Sequence, residues 1–201
     1  MKIYYSPNFN KIKVQNILPS KKMWNEFLKI YQKNHYLLGS ARAEDMFSDV
    51  HTALNGDLEN KLIVDLGSGS SNDEDSNNGM FEPWLCRLIT IVSKKHNYNL
   101  RCIAVDAGEF TNEGFECQTV DLRYNDPILE EKSVDLFVSY ELIHSPSLYF
   151  NRKHMHDRII EISKKYLKNE GNLIIGYINL DELDKYDILN YNNEGIVHYN
   201  F

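Results

Sequence analysis

The fold is decided by the stretch Ile63-Val64-Asp65-Leu66-Gly67-Ser68-Gly69-Ser70, an apolar run that ends in a carboxylate and two glycines. With Lys61 and Leu62 before it, the run lacks polar and apolar alternation, which is typical of a strand buried on both faces of a parallel sheet. The glycines allow a tight turn and a close approach of the backbone to a ligand, with amide groups exposed to it. We therefore predict a strand over 61–66, followed by a ligand-binding loop.

Four further apolar runs predict strands over 100–106, 116–121, 134–140 and 172–178. A helix over 83–95 separates the first two strands, with Pro83 in its first turn and lysines in its last. Another helix, capped by Asn151, precedes the last strand and has one apolar stripe, formed by Met155, Ile159, Ile162 and Tyr166. Only 107–115 separates the second and third strands, which leaves room for a helical turn or two. This order predicts an α/β fold with a doubly wound, mostly parallel sheet.

The flanking segments predict a helical cover in front of the sheet and an abbreviated C-terminal end. We interpret the first twenty residues as an irregular arm, followed by helices over 21–38, with Ser20 as cap and Gly39 as stop, and over 41–54. Residues 1–60 are thus predicted as an N-terminal arm and helical cover, and residues 61–201 as the main domain, in one structural unit. In the tail, 186–191 and 196–201 predict an edge hairpin.

Composition limits the partners and the compartment. The 201 residues include 29 acidic and 22 basic side chains, a formal charge of -7, so nucleic acid is not favoured as a partner. No apolar run approaches the roughly 20 residues of a membrane-spanning helix, and the first residues do not resemble a secretory signal. Three scattered cysteines fit reduced thiols. We therefore expect a cytoplasmic protein without a membrane partner.

The ends of the predicted strands carry polar side chains that are candidates for ligand binding or catalysis. In a doubly wound sheet, ligands bind beyond the carboxyl ends of the strands. Asp65 ends the first strand, Asp106 ends the second, and Asp121 ends the third beside Leu122. The carboxylate of Asp106 can accept hydrogen bonds from ribose hydroxyls. That of Asp121 can accept a hydrogen bond from an exocyclic amine, with Leu122 as an apolar contact beside it. The fourth strand ends in Ser139-Tyr140-Glu141-Leu142-Ile143-His144.

Five segments between 61 and 178 resemble, in order, the motifs of class I S-adenosylmethionine-dependent methyltransferases of the Rossmann-like superfamily. The first is similar to the family's hydrophobic-hydrophobic-Asp-hydrophobic-Gly-x-Gly-x-Gly loop, and the last to its Leu-Lys-Pro-Gly-Gly-x-Leu-x-Ile signature. The segments are Ile63 to Ser70, Ala104 to Asp106, Thr119 to Leu122, Val134 to Ser139 with Leu142 to His144, and Leu167 to Ile175.

The resemblance implies S-adenosylmethionine as cofactor and S-adenosylhomocysteine as product, with a methyl group transferred to an O or N atom of a small-molecule or protein acceptor. It implies a cofactor site formed by Asp65, Gly67, Ser68, Gly69, Asp106, Ala107, Asp121, Leu122 and Tyr140. For catalysis, His144 is the candidate base, and Tyr140 or Glu141 would shape the acceptor site. Amino-group methylators of adenine or glutamine carry Asn-Pro-Pro-Tyr or Asp-Pro-Pro-Tyr, which the fourth strand lacks.

Two departures from the family pattern keep alternatives open. The third glycine of the loop is replaced, and a polar insertion runs from Ser71 to Gly79, where the family binds the methionine part of the cofactor. Together with the short C-terminal end, this favours as alternative a catalytically inactive methyltransferase-like protein that binds cofactor or a partner. An NAD-dependent oxidoreductase is less favoured, because Gly-x-Gly-x-x-Gly would need glycine at Asn72.

A metal site is not favoured. The candidate ligands are His51, His144, His154 and His156. Two histidines separated by one residue on a helix point to different sides, so His154 and His156 cannot bind one ion from the same face.

Overall fold

A computed structural model describes residues 1–5, 14–33, 37–71, 81–140, 142–145, 152–176 and 196–198. Within these ranges the chain forms seven strands, four α-helices and one 3₁₀ turn. In chain order they are β1 (Lys2–Tyr5), α1 (Lys21–Ile30), α2 (Leu37–Ala53), β2 (Leu62–Leu66), α3 (Trp84–His96), β3 (Arg101–Asp106), β4 (Glu116–Thr119), β5 (Val134–Tyr140), the 3₁₀ turn (Leu142–His144), α4 (Arg152–Tyr166), β6 (Leu167–Gly176) and β7 (Ile196–His198).

All seven strands belong to one sheet, in the order β4-β3-β2-β5-β6-β1-β7. Strands β1 to β6 pair in parallel, and β7 pairs antiparallel with β1. Helix α3 connects β2 to its neighbour β3, on one side of the central pair β2–β5. Helix α4 connects β5 to its neighbour β6, on the other side of that pair. The strand order therefore reverses between β2 and β5, where a ligand crevice is expected. The predicted α/β, doubly wound, mostly parallel fold is confirmed.

Each face of the sheet carries its own apolar core. Helices α1, α2 and α3 pack on one face, where they bury Trp24, Phe47 and Leu88 against Ile63 of β2. Helix α4 packs on the other face, against Val64 and Leu66. Because consecutive residues of β2 enter different cores, the strand is apolar throughout, as the sequence predicted. The stripe of α4 formed by Met155, Ile159, Ile162 and Tyr166 is buried as predicted.

The predicted N-terminal arm is wrong for its first residues, which form β1. Ile3 pairs with Leu173 and Tyr5 with Ile175 in parallel register, and Ile3 and Tyr5 are fully buried. A β-branched residue followed by two tyrosines suits a buried strand, but four residues are too short to stand out from a polar segment. One strand of the sheet therefore comes from residues 1–60, so the proposed boundary at residue 60 does not separate the cover from the sheet.

The boundary between the first two helices also differs from the prediction. Helix α1 begins after Ser20, whose Oγ accepts the N–H of Met23 at 3.4 Å, but it ends at Ile30, before the predicted 38. Helix α2 begins at Leu37 and runs through Gly39, which we predicted as a helix stop. A Cβ at Gly39 would lie 2.1 Å from the indole ring of Trp84 in α3. Glycine at this position thus permits the contact between α2 and α3.

The remaining differences concern element ends. Residues 107–115 contain no helix, although β3 and β4 are parallel, and β6 begins at Leu167 instead of 172. Strand β7 lies within the predicted 196–201, whereas 186–191 and Asn151 fall outside the described residues.

Among the described helices, none has the length and apolar character needed to cross a membrane.

Candidate functional site

A cleft of about 130 Å³ opens at the carboxyl ends of the strands around the switch point. Its volume is a fraction of the roughly 300 to 1,000 Å³ of pockets for drug-sized ligands, so it suits one end of such a ligand. Five predicted cofactor residues line it together, namely Gly67, Asp106, Ala107, Asp121 and Leu122. The other lining residues were not predicted as cofactor residues, although two of them lie in the motif segments 119–122 and 142–144; they are Val120, Arg123, Leu142, Ser145 and Met155.

Asp106 connects the end of β3 to the glycine loop. Its Oδ2 accepts the N–H of Gly69 at 3.0 Å, and its Oδ1 accepts the N–H of Gly108 at 2.9 Å. Each carboxylate oxygen has a second lone pair, so the side chain retains acceptor capacity toward the cleft. Asp106 can therefore hold the loop and, at the same time, accept hydrogen bonds from hydroxyl groups of a ligand.

The backbone amides of the glycine loop are directed into the protein. Each backbone N–H from 67 to 71 donates to an acceptor of the protein. The N–H groups of Gly67 and Ser68 donate to the carbonyl of Val105 (2.8 and 3.2 Å), and that of Gly69 donates to the Asp106 carboxylate. The N–H of Ser70 donates to the carbonyl of Phe81 (3.1 Å), and that of Ser71 to the carbonyl of Glu109 (3.0 Å). Our expectation that the loop exposes amides to a ligand is wrong. A phosphate group is bound by amides that point at it, and this part of the loop offers none.

Two glycines of the loop are required by geometry. Gly67 has φ +76°, and a Cβ there would lie 2.7 Å from Cβ of Leu142, which lines the cleft. Gly69 has φ +81°, and a Cβ there would lie 1.8 Å from the carbonyl oxygen of Phe81. The left-handed backbone and the close contacts both exclude larger residues.

We expect Gly69→Ala to cost at least about 3 kcal/mol of stability, because the new methyl group meets backbone and the loop must move. Gly56→Ala is the matched control, since Gly56 also has a positive φ, +75°, but its Cβ would lie 3.2 Å from the His51 ring. There we expect only the backbone cost of about 1 to 2 kcal/mol. Urea unfolding of both variants measures the difference. Equal losses would show that the contact with Phe81 is not a constraint.

Asp121 lines the cleft as a member of an ion pair. Its Oδ1 accepts the Nε of Arg123 at 2.8 Å and the backbone N–H of Arg123 at 3.1 Å, and its Oδ2 accepts Nη2 at 2.6 Å. These bonds from Arg123 lower the pKa of Asp121. Of about four lone-pair sites on a carboxylate, three are used, which leaves one for a ligand donor. Leu122, Val120 and Met155 provide the apolar surface beside it.

Asp65, Ser68 and Gly69 are not among the residues that line the cleft. The Asp65 side chain is on the same strand face as Ile63 and is only 4% exposed. Burial raises its pKa to about 7, the nearby Asp106 carboxylate adds to the rise, and Arg42 of α2 opposes it. The Ser68 hydroxyl donates to the carbonyl of Gly69 at 2.9 Å. The Ser68 hydroxyl thus stabilises the loop from within, whereas Asp65 carries its full negative charge only above neutral pH, because its pKa is about 7.

Of the three predicted catalytic residues, the structure describes the side chain of Tyr140 alone. Tyr140 is buried beneath α2, where its hydroxyl donates to Oδ2 of Asp49 at 2.9 Å, and it does not line the cleft. Glu141 lies outside the described residues. His144 ends the 3₁₀ turn whose first residue, Leu142, lines the cleft, but its side chain is not among those described. The roles of Tyr140, Glu141 and His144 stay predictions.

The histidines of α4 lie on different sides, as their spacing indicated. His156 is buried and its Nε2 lies 3.1 Å from the Tyr5 hydroxyl, whereas His154 is exposed. In the described part of the chain, no group of three His, Cys, Asp or Glu side chains is placed to hold a metal ion.

A buried ion network lies behind the glycine loop, and sequence reasoning missed it. The guanidinium of Arg87 in α3 is fully buried between Glu82 (2.5 Å) and Glu113 (2.5 Å). Glu113 also accepts the Ser71 hydroxyl at 2.8 Å, and Lys33 donates to the carbonyl of Ser71 at 2.7 Å. The signal in the sequence is one charged residue inside the otherwise apolar first turns of α3. The network fixes the far end of the glycine loop.

Comparisons with known proteins add little to this description. No protein-family model matches the chain, and none of the curated proteins matches it. The fold is similar to a crystal structure from Methanococcus maripaludis named a "putative S-adenosyl-L-methionine-dependent methyltransferase", with 15% sequence identity and a TM-score of 0.39. That match covers 84% of this chain and 64% of the other, so the chain spans less than two thirds of the relative. So distant a likeness carries no argument about activity, and the assignment of the α/β fold rests on the strand order.

Proposed function

We propose that this protein binds S-adenosylmethionine in the cleft and transfers its methyl group to an O or N atom of a small-molecule or protein acceptor. One observation carries the proposal: carboxylates line the cleft, while the loop amides from 67 to 71 all donate to protein acceptors. Such a site suits a nucleoside that presents hydrogen-bond donors and positive charge. It is unsuited to a pyrophosphate, which speaks against the oxidoreductase alternative.

The residues of the cleft fit the adenosyl end of this cofactor. Asp106 has lone pairs for the ribose hydroxyls, and Asp121 has one for an amino group. Apolar side chains from three segments offer the flat surfaces that a purine ring needs, namely Val120, Leu122, Leu142 and Met155. The five motifs in family order support the same assignment.

Charge supports the choice of a cationic cofactor. Asp106 lines the cleft and interacts with the buried Asp65, whereas Arg123, which also lines the cleft, is paired with Asp121. Negative side chains at a low-dielectric wall attract a positive ligand more strongly than the same charges in water. The acidic balance of the whole chain has the same sign.

When bound, S-adenosylmethionine supplies an electrophilic methyl group and a good leaving group. The chain then has to hold both reactants in line, and orientation alone can lower a barrier by roughly 7 to 11 kcal/mol. A base that accepts the proton of the acceptor contributes about 10² to 10⁴ in rate. We keep His144 for this role, because its turn also carries Leu142 of the cleft.

Asp106→Asn tests the cofactor site. We expect it to weaken binding of S-adenosylhomocysteine about 10- to 100-fold, since a hydrogen bond to a charged group contributes roughly 1.5 to 3 kcal/mol. Asp135→Asn is the matched control: Oδ2 of Asp135 also accepts a backbone N–H, that of Leu62 at 2.9 Å, but at the amino ends of the strands. Isothermal titration calorimetry should show unchanged affinity for this control. Equal affinity in wild type and Asp106→Asn would contradict the assignment.

Tyr140 provides the observation that favours the non-catalytic alternative, because its hydroxyl is engaged with Asp49 away from the cleft. Incubation with cofactor labelled in its methyl group separates the two functions. An enzyme releases S-adenosylhomocysteine and transfers label to the macromolecular or the small-molecule fraction of a cell extract, which also identifies the acceptor class. Binding without transfer to either fraction would support the alternative.

A further inference from the structure

Two of the three cysteines meet in the core between α3 and β3. The Sγ atoms of Cys86 and Cys102 lie 2.8 Å apart, which is about 0.8 Å longer than a disulfide bond. Both residues are buried, with exposed fractions of 0% and 5%. Neither thiol has a part in the proposed cofactor site.

We propose that Cys86 and Cys102 are a modification site, at which a hydroperoxide converts the two thiols into an intramolecular disulfide that ties α3 to β3. The inference does not depend on the proposed function, since it uses no residue of the cleft. Thiol pairs form disulfides when backbone and Cβ positions need little adjustment, and sulfur atoms already in contact meet that condition.

The reaction takes two electrons from the thiols. The sulfur of one cysteine attacks the terminal oxygen of the hydroperoxide ROOH, the O–O bond breaks, and ROH leaves with the thiol proton. The sulfur of the other cysteine then attacks the resulting sulfenic acid, the S–O bond breaks, and the hydroxyl leaves as water with the second proton. The peroxide is thereby reduced, and one S–S bond replaces two S–H bonds.

The environment determines the speed of these steps. Burial raises the pKa of both thiols. Either thiol can donate in this contact, so either sulfur can attack the peroxide first. Because the thiolate fraction at neutral pH is small, oxidation proceeds slowly, over a longer time than in a peroxide sensor with an exposed thiolate.

The third cysteine serves as the internal control. Cys117 lies in β4 opposite Ala104, half-buried, and its thiol donates to the carbonyl of Phe115 at 3.6 Å. Burial raises its pKa to about 12. Cys117 is thus more accessible than the other two cysteines, but the described contacts give it no thiol partner at bonding distance. If accessibility decides, peroxide oxidises Cys117 first; if pairing decides, it oxidises Cys86 and Cys102.

The test treats the reduced, folded protein with hydrogen peroxide and counts free thiols by alkylation and intact mass. We expect wild type and Cys117→Ala to lose two thiols each, and Cys86→Ala and Cys102→Ala to form no intramolecular cross-link. The oxidised wild type should unfold roughly 5 to 10 °C higher than the reduced protein, reversibly with a thiol reductant.

Peptide mapping of the oxidised wild type keeps the test independent of how well the variants fold. A cross-linked peptide that joins Cys86 to Cys102 supports the proposal. A cross-link that contains Cys117, a disulfide between two chains, irreversible oxidation without a cross-link, or thiols that resist peroxide until the chain is unfolded would each overturn it.

Discussion

Arg87→Met is expected to lower the free energy of unfolding by about 3 to 5 kcal/mol, because it leaves the buried Glu113 carboxylate without its counterion and leaves Glu82 with Lys33, 3.3 Å away, as its remaining cation. In the folded protein, the guanidinium donates through Nη1 to Glu82, through Nε and Nη2 to Glu113, and lies 4.7 Å from the Trp84 ring. Methionine retains much of the apolar volume, so the loss reports mainly on the charges. Chemical denaturation at neutral pH measures it.

Arg101→Met is the matched control for this result. Arg101 pairs with Glu116 at 3.1 Å, but their side chains are 59% and 47% exposed. Pairs of this kind contribute about 0 to 1 kcal/mol. Similar losses in the two variants would mean that the Arg87 network is not a buried charge cluster in solution. The network also holds Ser71, so Arg87→Met should weaken cofactor binding in addition to stability.

Asp65→Asn is expected to stabilise the protein at pH 8 and to weaken binding of a cationic cofactor. The folded state raises the pKa of Asp65 from 3.8 to about 7, mainly through burial. A raised carboxyl pKa means that ionising the folded protein costs free energy, here about 4 kcal/mol once the pH exceeds 7. Asparagine has a similar shape and no charge, so it removes this cost. Stability gained at the expense of binding is common for residues of functional sites.

The sign of the pH dependence follows from the same values. Below pH 3.8 both states are protonated and Asp65 has no destabilising effect; between 3.8 and 7 the unfolded chain loses its proton first, so stability falls as pH rises. The advantage of Asp65→Asn over wild type should therefore grow by about 3 kcal/mol between pH 5 and pH 8.

Asp126→Asn is the control for that pH dependence. The Asp126 carboxylate accepts hydrogen bonds from Arg158 and Lys165, and the bond from Arg158 is the main reason why its pKa is lowered. A lowered pKa gives stability that is lost only at acid pH, so the difference from wild type should be the same at pH 5 and pH 8. If Asp65→Asn also showed a constant difference, Asp65 would not be a buried charge.

The sequence predicted the sheet and the location of the site because both depend on local patterns. Buried parallel strands are apolar runs, and in this fold their carboxyl ends carry the ligand residues, so Asp106 and Asp121 could be placed before the structure was known. The two positive-φ glycines of the loop were visible for the same reason. Strand β1 was missed, because its place beside β6 depends on a pairing partner at Leu173 far along the chain.

The direction of side chains and amides could not be predicted from the sequence. Tyr140 ends a strand beside the cleft, but alternation along β5 turns it toward α2 and Asp49. The loop amides are used internally because residues 81, 105 and 109 bring their carbonyls within hydrogen-bond distance, and those contacts are long-range. The burial of Arg87 could not be predicted either, because its two carboxylate partners come from separate loops.

The most direct measurement is thermal unfolding with S-adenosylmethionine, S-adenosylhomocysteine and NAD in parallel. At a concentration 100 times its dissociation constant, a ligand of the folded state adds about 2.7 kcal/mol, which raises the midpoint of a chain of this size by roughly 5 to 10 °C. We predict that both adenosyl ligands raise the midpoint, that NAD does not, and that the rise is smaller in Asp106→Asn. Stabilisation by NAD together with no shift from either adenosyl ligand would contradict the assignment of the cleft.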